Sequence, residues 1–90
     1  WGQIYGESTP RGIMVPVDDR MKRTALVHAD GWNDFVAICK GNHLIGTLNG
    51  QVTYDLVDYY GDATGLIGLQ IHAGAAMRVA FKDIRLRELP

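Results

Sequence analysis

Cysteine, proline, net charge and long apolar runs are all scarce in this chain of 90 residues, and each scarcity excludes something. Cys39 stands alone, so no internal disulfide can close and no second cysteine is present for a zinc site. Secreted proteins can fold without disulfides, so the compartment stays open on this ground. No stretch approaches the roughly 18 apolar residues needed to span a bilayer, and no membrane insertion is expected. A basic segment followed by an apolar one, the mark of a signal peptide, is also missing; the chain opens on Trp1, so this assigns no compartment. Nine Lys and Arg against ten Asp and Glu leave a net charge of -1. That gives no broad attraction for DNA, RNA or anionic lipid, and nucleic acid is not an expected partner.

Helix signals are scarce too. The stretch Asp18–Ala25 has a helical look but lacks a sustained apolar stripe. No internal repeat and no low-complexity segment is present. At 47% hydrophobic and 21% charged residues, the composition is too apolar and too mixed in sign for a disordered chain. Ninety residues suffice for one domain, with a smaller buried share than an average domain has.

What the sequence does have is β-strand punctuation. Trp1–Tyr5, Gly12–Val17, Thr24–His28, Asn33–Lys40, His43–Leu48, Gln51–Val57, Leu66–His72 and Ala76–Leu89 read as strands between polar, glycine-bearing connections. Asn49-Gly50 is a type I′ hairpin signal, because both residues tolerate positive φ. In Gln51–Val57, Val52, Tyr54 and Leu56 alternate against Gln51, Thr53 and Asp55. Met77, Val79 and Phe81 share a parity that Ile84 and Leu86 reverse, which predicts a bulge near Lys82-Asp83. Strands spaced about 8–12 residues apart favour an antiparallel sandwich or barrel. The fold class expected is all-β, in a single domain spanning residues 1–90.

Leu69-Gln70-Ile71-His72 carries the most chemistry. Alternation places Gly68, Gln70 and His72 on one face and Ile67, Leu69 and Ile71 on the other, the second set buried. A strand that presents an amide beside an imidazole suits a sugar-binding surface. The plain structural role, with His72 bonded to a loop backbone at the strand end, is the simpler reading at this point.

Several motifs in order resemble the 3-keto-disaccharide hydrolase domain family, which has a concanavalin A-like (laminin G-like) jelly-roll sandwich. They are Trp32-Asn33-Asp34-Phe35, Gly41-Asn42, Leu48-Asn49-Gly50, the run Gly65–Gly74 and the closing Val79–Leu89. The opening Gly2–Glu7 with Arg11-Gly12 is similar to the family's middle region. Family members are commonly about twice this length, so the chain resembles the C-terminal half of the usual domain, a half-sized sandwich. Gly46-Thr47 stands where the family tends to place a His and an aromatic.

The resemblance implies cleavage of the glycosidic bond of a 3-keto-glycoside, with carbohydrate as ligand and a periplasmic or secreted location. A non-catalytic sugar-binding module and a structural fragment of the same fold are the alternatives. In a 3-keto sugar the carbonyl acidifies the C2 proton, and an imidazole is suited to moving it. His72 and Glu7 are therefore the catalytic candidates, and Gln70, Arg11, Tyr5 and Asn49 the substrate-binding ones.

Each has a structural counterpart. Arg11 and Glu7 also read as a surface ion pair, and Asn33 and Asn49 as groups that satisfy turn backbone. Trp32 is expected in the core at a strand entrance. Tyr59 and Tyr60, with Tyr5, are candidate stacking platforms, or packed beneath their loop. Asp55, Asp58 and Asp62, like Asp18-Asp19, match no calcium loop and read as loop acids. Ser8 and Thr9 have no paired His, and Cys39 reads as a small buried filler. No metal and no cofactor is expected. A short sandwich with an open edge and an incompletely covered apolar face is expected to form a homodimer.

Overall fold

The computed structural model describes residues 2–6, 9–15 and 26–90. Five strands form two antiparallel sheets: β1 (Ile4–Gly6) pairs with β2 (Gly12–Val15), and β3 (Phe35–Lys40), β4 (His43–Leu48) and β5 (Gln51–Val57) form a meander in the order β3-β4-β5. No helix is among the elements of the described residues, and the all-β class holds. The proposed helical stretch Asp18–Ala25, the loop acids Asp18-Asp19, Ser8 and the catalytic candidate Glu7 lie outside the described residues.

The meander follows its turn chemistry. Leu48 pairs with Gln51 across Asn49-Gly50, whose φ values of 50° and 82° are those of a type I′ turn. β4 and β5 have the bounds that the sequence predicts. β3 starts two residues late, because Asn33 and Asp34 are held by loop hydrogen bonds described below.

The alternation expected in β5 is interrupted. Gly46 pairs with Tyr54 and Thr47 with Val52, leaving Thr53 as the extra residue of a bulge. The bulge turns Thr53 and Tyr54 inward together, and Val52 outward. Tyr54 then lies over Gly46, where an added Cβ would stand 2.2 Å from a ring carbon. Only hydrogen fits there. Gly46 thus occupies a position of the resembled family's side-chain pair for a packing reason. The rest of the core is small: among the described residues Leu48 is 1% exposed, and Thr53 is buried.

The two sheets are tied at two places. Gly2 sits against the Thr53 side chain, and Arg11, just before β2, forms an ion pair with Asp58, just past β5. Gly6 and Thr9 shape the β1–β2 connection, with the Thr9 hydroxyl donating to the Gly6 carbonyl at 2.7 Å.

Three expectations are corrected. Leu66–His72 and Ala76–Leu89 make no ladder among the described residues, and Ile67, Leu69 and Ile71 are 86%, 58% and 62% exposed instead of buried. A strand exists only when a neighbouring backbone takes its hydrogen bonds, and none here does so. Near Lys82-Asp83 the chain makes a bend with Asp83 at φ 53°, without the paired strand that a bulge requires. Val27-His28 is likewise not extended into a strand, because the His28 backbone is bonded to the Asn33 amide.

Candidate functional site

Two asparagines organise the loop that precedes β3. Asn33 accepts the His28 N–H at 2.7 Å and donates to the carbonyls of His28 and Gly31. Asn49, from the β4–β5 turn, donates to the Leu26 carbonyl and to Asn33 Oδ1, and accepts the Asp34 N–H at 2.8 Å. Both amide hydrogens of Asn49 are engaged within the protein. The network pins residues 26–34 to the meander and gives both asparagines the turn-satisfying role weighed from the sequence.

This pinned loop forms one wall of a cleft of about 730 Å³, and residues 78–81 form the other. The volume lies in the range of roughly 300–1,000 Å³ that small-molecule sites occupy. Val27, Phe35, Val79 and Phe81 supply apolar surface, and His28, Asp30 and Arg78 supply polar groups. Trp32 also lines the cleft and is 52% exposed, which corrects its expected place in the core. Lys82 Nζ lies 4.3 Å from the centre of the Trp32 ring, a cation–π contact worth about 0.5–1 kcal/mol at an exposed position.

His28 has a defined tautomer. Its Nδ1 is 3.0 Å from the Trp32 carbonyl oxygen, which can only accept, so Nδ1 carries the proton. In the neutral ring Nε2 is then the basic nitrogen. Its backbone N–H and carbonyl are both held by Asn33, so the ring projects from a fixed main chain. Sequence reasoning missed His28 as a candidate. The signal was the run His28-Ala29-Asp30-Gly31-Trp32, which crowds polar groups and a glycine around one large aromatic.

The residues singled out from the sequence are dispersed. His72 Nδ1 meets the carbonyl of Ala73 next to it, which is the local backbone contact of the plain alternative. Gln70 and His72 are exposed, and no hydrogen bond among the described residues joins them to Arg11, Tyr5 or Asn49. Tyr5 is exposed on β1, as are Tyr59 and Tyr60 on their loop. Cys39 is exposed on β3, not a buried filler.

Arg11 is paired, with Asp58. Asp58 Oδ1 accepts from the Arg11 guanidinium and from the N–H groups of Tyr60 and Gly61 at 3.1 and 3.2 Å. The Arg11 hydrogen bond, followed by that from Tyr60, holds the carboxyl below the usual aspartate range. A Cβ on Gly61 would meet this carboxylate at 2.4 Å, so the loop closes tightly around it. On the meander, His43 Nε2 contacts Asp55 across β4 and β5, an exposed pair. Among the described residues no three His, Cys, Asp or Glu side chains converge as metal ligands.

Comparison with known proteins adds a family. Neither the curated proteins nor the solved structures yield a match. A family profile described as the 3-keto-alpha-glucoside-1,2-lyase-like domain matches residues 1–87, nearly the whole chain. The Trp-Asn loop, the Asn-Gly hairpin and the Leu-Gln-Ile-His run are all within it, and the chain belongs to the 3-keto-alpha-glucoside-1,2-lyase-like domain family.

Proposed function

We propose that this domain acts on 3-keto-glycosides and breaks the bond between C1 and the leaving group by elimination. The family match over residues 1–87 carries this reading. The chemistry is compact. A base takes the C2 proton, and the electron pair passes into the C3 carbonyl as an enolate. Its return forms the C1–C2 double bond and expels the C1 oxygen, which takes up a proton. Water added across that double bond completes a net hydrolysis.

Such a reaction needs a neutral base near C2 and a proton source near C1. His72 is the proton carrier implied by the family resemblance, with Gln70 and Arg11 as oxygen-holding groups and Glu7 as a second acid–base group. The geometry adds His28, whose Nε2 is available as a base within the cleft between residues 27–35 and 78–81. In that cleft Trp32 and Phe81 offer apolar surface to the C–H face of a sugar ring, and Arg78 and Asp30 offer hydrogen bonds to hydroxyls. A periplasmic or secreted location goes with this reading.

A chromogenic 3-keto-glucoside tests it. Release of the chromophore is expected, and substitution of His28→Gln or His72→Ala should lower kcat by about 10²–10⁴-fold for whichever histidine moves the C2 proton. Binding of the substrate without turnover would replace the enzyme reading with that of a sugar-binding module.

A further inference from the structure

We propose that the free edge of β3 takes up the Leu66–His72 segment of a second copy of this chain, reciprocally, so that the domain is completed as a two-fold dimer. The first ground is area. The chain exposes 7983 Å², whereas a folded monomer of this mass is expected to expose about 5,200 Å². The surplus, about 2,800 Å² per copy or about 5,600 Å² for a pair, lies at the upper end of what obligate homodimers bury. The radius of gyration, 14.0 Å, also exceeds the roughly 12 Å of a compact chain of this length.

The second ground is the character of β3. Phe-Val-Ala-Ile-Cys-Lys is apolar on both faces, the composition of a strand covered on both sides, yet all six residues are exposed and, among the described residues, the strand is at the edge of its sheet. Only Lys40 at its end offers the charge that natural edge strands use against pairing.

The third ground is the matching segment. Leu66–His72 has strand patterning, is one residue longer than β3, makes no ladder among the described residues and exposes Leu66, Ile67, Leu69 and Ile71. Among the described residues, each copy thus carries both an unfilled edge and an unpaired strand. A two-fold axis satisfies both at once, with the same patch on each chain.

Antiparallel pairing, the mode of every ladder in the structure, has a consequence for the site. It runs Leu66 alongside Lys40 and brings the partner's His72 to the Phe35 end of β3. Phe35 lines the cleft that holds His28, so this pairing brings the partner's His72 to the mouth of that cleft. This consequence rests on the proposed function; the pairing itself does not.

Sedimentation equilibrium and hydrogen exchange test the pairing without any activity measurement. A mass about twice 9.9 kDa is expected at micromolar concentration, with amides of both β3 and Leu66–His72 slowed by at least about tenfold relative to a dissociated sample. Leu69→Lys with Ile71→Lys alters side chains that are exposed in the single chain, and should bring the mass down to that of one copy. A stable monomer with a cooperative melt would overturn the proposal. So would a dimer in which Leu66–His72 exchanges freely, or one that survives the double lysine substitution.

Discussion

Replacing Gly46 by Ala adds one methyl group at the most tightly occupied point of the meander. The new Cβ would stand 2.2 and 2.3 Å from Cε1 and Cζ of Tyr54, well inside van der Waals contact. The colliding atoms are rigid ring carbons, so the ring must shift by about an ångström and lose part of its burial. Overpacking of this kind costs about 3 kcal/mol at the upper end of its usual range. Against it stands the reduced backbone entropy of alanine in the unfolded chain, about 0.5–1 kcal/mol in favour of the substitution. The net is a loss of about 2 kcal/mol, or about 8–16 °C in Tm for a domain of this size. Urea and thermal melts at one fixed protein concentration measure it. The decisive comparison is Gly46→Ala in a Tyr54→Ala background. With the ring gone, only the entropic gain remains, and the same substitution should stabilise by about 0.5–1 kcal/mol. An equal effect of Gly46→Ala in both backgrounds would refute the reasoning.

Asn49→Ala removes the links to Leu26, Asn33 and Asp34 and places alanine at positive φ; a loss of about 2–3 kcal/mol is expected in the same melts. The Arg11–Asp58 tie predicts an acid dependence: the carboxyl is depressed in the folded chain, so its contribution is complete above the ordinary aspartate pKa of about 3.9 and is lost as pH falls through the lower folded value. Melts of Asp58→Asn from pH 7 down to 2 should lack that acid limb. Burial, and to a lesser degree Cys39, raises the Tyr54 phenol above its ordinary value, so stability should fall as pH climbs past about 10, and Tyr54→Phe should flatten this alkaline limb. If both His28→Gln and His72→Ala abolish turnover and the cleft is built across two copies, mixing the two chains should restore about a quarter of wild-type turnover, because half the dimers are mixed and each holds one intact site; no recovery would place both histidines in one chain's site.

The meander was legible because its signals are local. Asn49-Gly50 demands a type I′ turn whatever surrounds it, and β4 and β5 follow with the bounds that their patterning predicts. The bulge at Thr53 was not legible, since it arises from the fit of Tyr54 over Gly46, two residues on neighbouring strands. Leu66–His72 has the pattern of a strand but, among the described residues, not the partner backbone that makes one, and no local pattern reports whether a partner is present. The cleft was hidden for a similar reason. Its walls are 27–35 and 78–81, distant in sequence, and the network that fixes His28 depends on an asparagine from the β4–β5 turn. Trp32 is expected in the core from its place at a strand entrance, whereas the loop around it leaves half of the residue open and under Lys82.

The elimination reading is tested most directly with a 3-keto-glycoside deuterated at C2. Aglycone release should be accompanied by loss of the deuterium to solvent, at a rate above the uncatalysed exchange of the same substrate. Release of the aglycone with the deuterium retained at C2, or exposure to the domain with neither release nor enhanced exchange, would contradict it.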